Sequence, residues 1–239
     1  MNGGNQQQAY DRGITIFSPD GRLYQVEYAR EAVERGSPSV GLTTDDGVVL
    51  LARTRQRSPL VVQDSVEKLH RVDDHLAVAS AGHAADARKL VDLARRVAQR
   101  ERLRYGEPMG VEPLAKAITD HVQEYTQTGG ARPYGTALLV GGIDPDTGEA
   151  RLYETDPSGT PYEWHATAIG ADGAEIVSHL EEEYTEELTV DDGLDLGLRA
   201  LAGTTEDDLG PETVAGAVVT ADRVETLGGD RLSDVLAEL

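Results

Sequence analysis

Residues 36–53 have the sequence GSPSVGLTTDDGVVLLAR, and this stretch predicts the first part of the fold. Two runs rich in β-branched and aliphatic residues, 39–44 and 47–53, flank the turn Asp45-Asp46-Gly47. An Asp-Gly pair between such runs is a strong hairpin signal, because glycine tolerates the positive φ angles that tight turns require. The stretch therefore predicts an antiparallel β-hairpin within a larger sheet.

The segments on either side of this hairpin extend the pattern. Further strands are predicted at 75–82, 135–143, 150–156, 163–170, 213–221 and 223–227. Apolar residues at helical spacing predict helices at 22–35, 84–104, 112–126, 173–188 and 190–202, and a short one from Asp230. Strand groups alternate with helix pairs rather than forming βαβ units, which predicts an α/β (α+β) fold. We expect two mostly antiparallel sheets flanked by helices, a four-layer αββα sandwich.

The domain organisation follows from composition. No linker interrupts the predicted strands and helices, so we expect a single domain at residues 10–239. Residues 1–9 are polar and rich in glycine and glutamine. They have nothing to bury and are predicted to be flexible.

Charge is distributed unevenly along the 239 residues. The 43 acidic and 22 basic residues give a formal net charge of −21. Residues 1–140 contain 18 of each sign, whereas residues 141–239 contain 25 acidic and 4 basic residues. An acidic field repels phosphates and anionic lipids, which argues against nucleic acid and membranes as partners. Acid excess with only three lysines indicates adaptation to high salt; an ordinary acidic bacterial or archaeal protein is the alternative.

Several kinds of functional site have no support in the sequence. The chain has no cysteine, which excludes disulfides and thiolate catalysis. Its six histidines lack metal-binding spacing, so neither a metal nor a cofactor is predicted. Residues 144–155 alternate acids as a calcium loop does, but Glu149 and Thr155 stand where an EF-hand needs glycine and glutamate. A hairpin turn is the better interpretation there, and a solvated helix face is the better one for the acidic run 181–187.

The location of the protein is predicted from two absences. No apolar run approaches the roughly 20 residues that span a bilayer. The first ten residues, MNGGNQQQAY, also lack the basic and apolar pattern of a signal peptide. We therefore expect a soluble, cytoplasmic protein.

The Gly36-Ser37 pair raises the alternative of an active enzyme. Amino-terminal-nucleophile hydrolases cleave themselves after a glycine to free a Ser, Thr or Cys whose own amine is the base, and a four-layer sandwich holds it. Three features argue against this chemistry. Pro38 follows Ser37, Arg53 lies near the position of a supporting carboxylate, and 36 structured-looking residues precede Ser37.

One long segment carries a specific resemblance. Residues 10–29, YDRGITIFSPDGRLYQVEYA, closely resemble the amino-terminal signature of archaeal proteasome α subunits. Five shorter segments resemble the same family in the same order: SVEKL at 65–69, ADAR at 85–88, QEYTQ at 123–127, RPYG at 132–135 and ATAIG at 166–170. The resemblance covers about residues 8–235.

This resemblance implies a non-catalytic subunit with the fold of the amino-terminal-nucleophile hydrolases. Seven such subunits form each outer ring of the 20S barrel and cap inner rings of β subunits, whose terminal threonine hydrolyses peptides. The implied partners are other α subunits, β subunits, an ATPase regulator similar to the proteasome-activating nucleotidase, and unfolded protein substrates. The helix pair at 84–126 faces the β ring in the family. Active hydrolysis after cleavage at Gly36-Ser37 remains the alternative.

The family motifs also imply two sets of site residues. Tyr10, Asp11, Arg12, Pro19 and Tyr28 match the gate residues of the family, which hold the open conformation between neighbouring subunits, whereas residues 1–9 would occlude the pore. A simple N-terminal tether is the alternative. Lys68, Glu27, Gly36 and Gly82 match the pocket that accepts the C-terminus of a regulator ending in a hydrophobic-Tyr-any motif. For Lys68, the alternative is a surface lysine paired with Glu67 or Asp64. His83 replaces an aliphatic residue that the family pattern leads us to expect next to Gly82.

The charge distribution adds one hypothesis. The matched site residues and the helix pair at 84–126 all lie in the part of the chain with no net charge. The excess acid is therefore expected on the outer wall rather than at contacts between copies, where like charges would repel.

Overall fold

A computed structural model describes residues 23–54, 58, 60–62, 67–127, 132–204 and 209–237. The flexible segment predicted at 1–9 and the gate residues Tyr10, Asp11, Arg12 and Pro19 lie outside the described residues. In chain order the elements are α1 (Tyr24–Glu34), β1 (Ser39–Thr44), β2 (Gly47–Arg53), β3 (Leu69–Asp73), β4 (Leu76–Gly82), α2 (Ala84–Tyr105), α3 (Val111–Gln127), β5 (Thr136–Ile143), β6 (Ala150–Thr155), β7 (Pro161–Trp164), β8 (Ala166–Ile169), α4 (Gly173–Glu183), α5 (Val190–Ala202), β9 (Val214–Val219), β10 (Val224–Leu227) and α6 (Gly229–Leu236).

The strands form two five-stranded antiparallel sheets. The first has the order β10-β9-β2-β1-β8 and the second the order β3-β4-β5-β6-β7. The predicted hairpin is present, with Thr44 paired to Gly47 and Ser39 paired to Ala52. Every residue of β1 is buried, because the strand lies between a helix layer and the other sheet.

Three apolar clusters hold four layers together. Leu90 of α2 and Ile118 of α3 are buried against the second sheet. Ile176 of α4 and Leu194 of α5 are buried against the first sheet. Between the sheets, Leu50 is buried in one cluster with Leu139 and Leu152. Each fully buried leucine stabilises the fold by about 1.5–3 kcal/mol. The order of the layers, helices then sheet then sheet then helices, confirms the predicted four-layer sandwich.

The single strand predicted at 163–170 is wrong. Residues 163–170 form two strands in different sheets, β7 in the second and β8 in the first. The chain crosses between the sheets at His165, whose carbonyl oxygen accepts a hydrogen bond from the amide of Thr43 at 2.7 Å. Strand β3 was not predicted, because its sequence LHRVD has only two aliphatic residues and lies at a sheet edge.

The acidic helix α4 is shorter than predicted. It ends at Glu183, and Tyr184 takes an extended conformation with φ −68° and ψ 135°. The hydroxyl of Tyr184 lies 3.0 Å from Oγ1 of Thr43 on β1. A new helix then starts from Thr189, which forms a capping box with Asp192. Among the described residues, no helix is long and apolar enough to cross a membrane.

Candidate functional site

The end of α1 meets the end of β4 through two glycines. A Cβ atom on Gly36 would lie 2.4 Å from the amide nitrogen of Gly82, which no side chain could tolerate. Gly82 itself has a φ of +105°, and a Cβ there would lie 2.3 Å from the carbonyl oxygen of Gly135. The structure therefore brings together two of the predicted pocket residues, and the close contact requires glycine at both.

Lys68 completes this group, which we call the Gly36 junction and define as Gly36, Ser37, Pro38, Lys68 and Gly82. The ammonium donates to the carbonyl oxygen of Ser37 at 2.7 Å and to that of Pro38 at 2.9 Å. It also donates to the carbonyl oxygen of Arg53, the last residue of β2, at 3.1 Å. One side chain thus ties the chain after α1 to the end of a central strand.

The protonation of Lys68 reflects two opposing effects. Burial lowers the pKa of Lys68 to about 7, because the charged form loses its hydration. Three carbonyl acceptors, however, require three N–H donors, and only the ammonium form supplies three. The carbonyl oxygens therefore favour the charged form near neutral pH. The carboxylate of Glu67, a predicted alternative partner, lies instead 3.4 Å from Nδ1 of His70.

Two further predicted residues lie on α1. Glu27 is bound to Arg30 at 3.2 Å, and Arg30 also donates to Asp156 at 2.8 and 3.0 Å. The side chain of Tyr28 is 47% exposed. Both residues are therefore on the outer surface of the helix that leads into the Gly36 junction.

A groove of about 510 Å³ lies between α1, the start of α2 and residues 132–135. Tyr28 and His83 are among its lining residues, and the ring of His83 lies against Gly135. Beside them, Arg132 forms a two-point ion pair with buried Asp86 at 2.6 and 2.8 Å.

Asp86 is the anchor of this groove. Its carboxylate also accepts a hydrogen bond from the amide of Gly135 at 3.0 Å. Burial pushes its pKa upward, but the hydrogen bonds from Arg132 and Gly135 outweigh this effect, so the pKa of Asp86 lies below its ordinary value. Sequence reasoning assigned these residues to family motifs without a role, and the spacing of ADAR and RPYG gave no sign of the pair.

The geometry does not favour a nucleophile at Ser37. Helix α1 precedes it and buries Val26, Ala29 and Val33 against the sandwich. The carbonyl oxygen of Ser37 accepts a hydrogen bond from Lys68. At the end of β2, where an active hydrolase would need a supporting carboxylate, the chain has Arg53.

Two other predicted interpretations can be compared with the structure. The carboxylate of Asp144 accepts hydrogen bonds from the amides of Asp146 and Thr147, as in a hairpin turn. The acidic residues of 181–187 are exposed. Within the described ranges, no group of three or more His, Asp or Glu side chains could hold a metal ion.

Two antiparallel sheets between two helix layers are the architecture of the amino-terminal-nucleophile hydrolases, and comparisons with known proteins identify the family within this fold class. A family model described as "Proteasome subunit" matches residues 33–219. A second model, which describes the N-terminal signature of A-type proteasome subunits, matches residues 10–32. The chain belongs to the proteasome subunit family, as an α subunit.

Relatives from halophilic archaea agree. The chain is 62% identical over 234 residues to the proteasome alpha subunit of Natronomonas pharaonis, covering 98% of this chain and 90% of the relative. It is 58% identical over 238 residues to the first proteasome alpha subunit of Haloferax volcanii, covering 99% and 94%. The predicted resemblance is confirmed. The membership supports a non-catalytic α subunit of the 20S core and does not favour an active hydrolase released at Gly36-Ser37.

Proposed function

We propose that this chain forms the outer seven-membered ring of a cytoplasmic 20S core, caps β subunits with threonine nucleophiles, and has no peptidase activity of its own. The observation that carries the proposal is the internal position of Ser37. Helix α1, which packs Val26, Ala29 and Val33 against the sandwich, precedes this residue, and Lys68 binds its carbonyl oxygen, so Ser37 has no free amine to act as a base. Unfolded proteins would pass through the ring to the β subunits.

Co-expression with a β subunit tests this function. We expect seven-membered rings by electron microscopy and a mature chain that still contains residues 1–36 by intact mass. Loss of residues 1–36 in the mature chain would overturn the proposal and support the hydrolase instead. A complex in which this chain forms no rings would also contradict it.

The first proposed role is gating. Residues 1–9 would occlude the pore, and Tyr10, Asp11, Arg12, Pro19 and Tyr28 would hold the open arrangement. The exposure of Tyr28 supports this role, because an aromatic side chain with a polar tip is then accessible to a neighbouring segment. Deletion of residues 2–9 should raise hydrolysis of short peptides by the assembled core several-fold. An unchanged rate with intact rings would contradict the role.

The second proposed role is docking of an ATPase regulator at the Gly36 junction, with Glu27 of α1 as a further contact. The adjacency of Gly36, Lys68 and Gly82 supports this role. Because the three N–H groups of Lys68 are bound to backbone carbonyls, an incoming carboxylate would share the ammonium with them or replace one.

Substitution of Lys68 tests docking directly. Lys68→Met should abolish stimulation by the regulator, while peptide hydrolysis without regulator is retained. Lys89→Met is the matched control, because Lys89 is exposed on α2 and is not part of the Gly36 junction. Retained stimulation in Lys68→Met cores would refute the docking role.

A third part of the proposal concerns the β ring. The helix layer of α2 and α3 would contact it, as the family resemblance implies. A groove of about 670 Å³ along α2 supports this contact; it is lined by Leu93, Val97, Leu103 and three arginines, Arg96, Arg100 and Arg104. Leu103 is 87% exposed, and an exposed leucine next to other apolar residues is suited to contact with another protein.

A further inference from the structure

Three consecutive aliphatic side chains are exposed between β2 and β3. Leu60 is 92%, Val62 72% and Val61 39% exposed. Single exposed aliphatic residues are common, but a contiguous group of this size marks a contact with another molecule. This apolar segment, defined as Leu60–Val62, has no part in the Gly36 junction.

The apolar segment lies between β2 and β3 in the chain, and the described residues at the ends of these strands lie on one flank of the sandwich. The amide of Thr54 donates to the carbonyl oxygen of Thr213 at 2.8 Å, and its hydroxyl donates to that of Glu212 at 3.3 Å. These residues lead into β9, which lies on the side of β2 away from β8. The connection ends at β3, the edge strand of the second sheet that packs against β2 and β9.

The opposite flank contains a cleft of about 580 Å³, which we call the flank cleft. It lies among α1, the edge strands β7 and β8, and the start of α4. Its apolar walls include Val33, Ile169, Val177 and Trp164. The indole of Trp164 remains 38% exposed there, and exposed tryptophan is enriched at protein interfaces.

The flank cleft is acidic. Glu34, Glu154, Asp156 and Asp172 line it together with one base, Arg30, which is already bound to Asp156 and Glu27. Burial, with a smaller contribution from Asp156, raises the pKa of Glu154. A cation brought by a partner would therefore stabilise the charged carboxylate.

The sequence around the apolar segment has the complementary character. Residues 53–62, RTRQRSPLVV, contain three arginines and no acidic residue. In a chain with a net charge of −21, such a basic and apolar stretch is a local exception. Apolar side chains next to positive charge fit an apolar cleft with carboxylates at its rim.

We infer that the apolar segment Leu60–Val62 of one copy docks into the flank cleft of the next copy around the ring. The two surfaces lie on opposite flanks and differ from each other, so the contact is heterologous, the kind that closes into rings. The inference rests on the proposed ring and specifies the surfaces that build it. It also limits the hypothesis that the excess acidic residues of 141–239 lie only on the outer wall, because some of them, in the flank cleft, would then lie at a contact between copies.

Crosslinking tests the contact in the assembled core. Because the chain has no cysteine, a double variant Leu60→Cys and Val177→Cys presents two thiols to a short bismaleimide. We expect a ladder of covalent oligomers up to seven copies, and no ladder from either single variant. The matched control pairs Leu60→Cys with Ser178→Cys, since Ser178 is the next residue of α4 and is exposed outside the cleft lining. An equal ladder from the control, or none from the first pair, would overturn the inference.

Assembly of charged variants separates this inference from the proposed function. Leu60→Asp and Val177→Asp should each lower the yield of rings at least tenfold, whereas Leu60→Ile and Ser178→Asp should not. In a mixture of the two variants, the apolar segment of a Val177→Asp chain can still dock into the unaltered flank cleft of a Leu60→Asp chain. All other contacts contain a substitution, so we expect dimers but no rings. Rings in both Asp variants would refute the flank contact alone, whereas no ring from the unaltered chain with its β partner would refute the proposed function.

Discussion

The two helix layers have the same role in the fold but opposite surface chemistry. Residues 84–127, which contain α2 and α3, carry 7 acidic and 8 basic residues. Residues 173–202, which contain α4 and α5, carry 9 acidic residues and one basic residue. Each layer buries an apolar stripe against its own sheet. Packing of the sandwich therefore does not explain the difference, and we attribute it to what each layer faces outside the chain.

The exposed side chains of each layer indicate what those contacts are. Along α2, arginines surround exposed Leu103, and arginine with aliphatic residues is typical of protein interfaces. At the end of α4 and just after it, exposed glutamates dominate at 181–187, and dense carboxylates keep a surface hydrated. The comparison teaches that one layer is suited to a protein partner and the other to solvent.

The largest expected effect comes from reversing the charge of the basic layer. The triple variant Arg96→Glu, Arg100→Glu and Arg104→Glu should reduce joining to β subunits at least tenfold, because like charges would then meet any acidic partner surface. Native mass spectrometry of the co-expressed subunits measures this.

The matched control reverses the same number of charges on the acidic layer. Glu181→Lys, Glu182→Lys and Glu186→Lys should leave joining to β subunits within twofold. If the control abolished assembly and the arginine variant did not, the assignment of the two layers would be reversed.

A smaller effect, on the free energy of unfolding, is expected from substitutions at the start of one helix in each layer. Asp86→Ala at the start of α2 leaves the amide of Gly135 and one face of Arg132 unpaired, which should lower the free energy of unfolding by about 2–3 kcal/mol. Thr189→Ala removes the cap of α5 and should cost about 1 kcal/mol. Denaturant unfolding compares the two, and a larger loss for Thr189→Ala would contradict the anchoring role of Asp86.

The fold was predictable where local signals decide it. The hairpin at 39–53 follows from its turn and β-branched residues, and α5 matches the predicted 190–202 because Thr189 is a strong cap. The split of 163–170 between sheets was not predictable, because the crossing at His165 depends on a hydrogen bond to distant Thr43. Helix α4 ends early for a similar reason, since Tyr184 contacts the same strand.

The candidate site was predictable only in part. The resemblance to the proteasome family pointed to Gly36, Lys68 and Gly82 as pocket residues, and the structure brings these three residues together. The three carbonyl oxygens that bind Lys68 could not be foreseen, because backbone acceptors have no sequence signature. The flank cleft is likewise assembled from α1, two sheets and α4, whose meeting depends on the whole sandwich.

The last prediction concerns pH at the Gly36 junction, which belongs to neither helix layer and serves as a reference for both. Burial lowers the pKa of Lys68 to about 7 from the ordinary 10.5, so the unfolded chain binds more protons than the folded one between these values. Stability contributed by Lys68 should therefore rise as pH increases from 7 to 10. Denaturant unfolding of the unaltered chain against Lys68→Met measures it. A difference that stays constant from pH 7 to 10 would mean that the carbonyl oxygens outweigh burial.

Amide hydrogen exchange of the α chain before and after addition of β subunits tests the assignment of the two layers most directly. Peptides from α2, around Leu103, should become protected on assembly, because that layer would be covered by the β ring. Peptides from residues 181–202, the end of α4 and all of α5, should exchange at unchanged rates, because this part of the acidic layer would stay in solvent. Protection of residues 181–202 with no change in α2 would contradict the account.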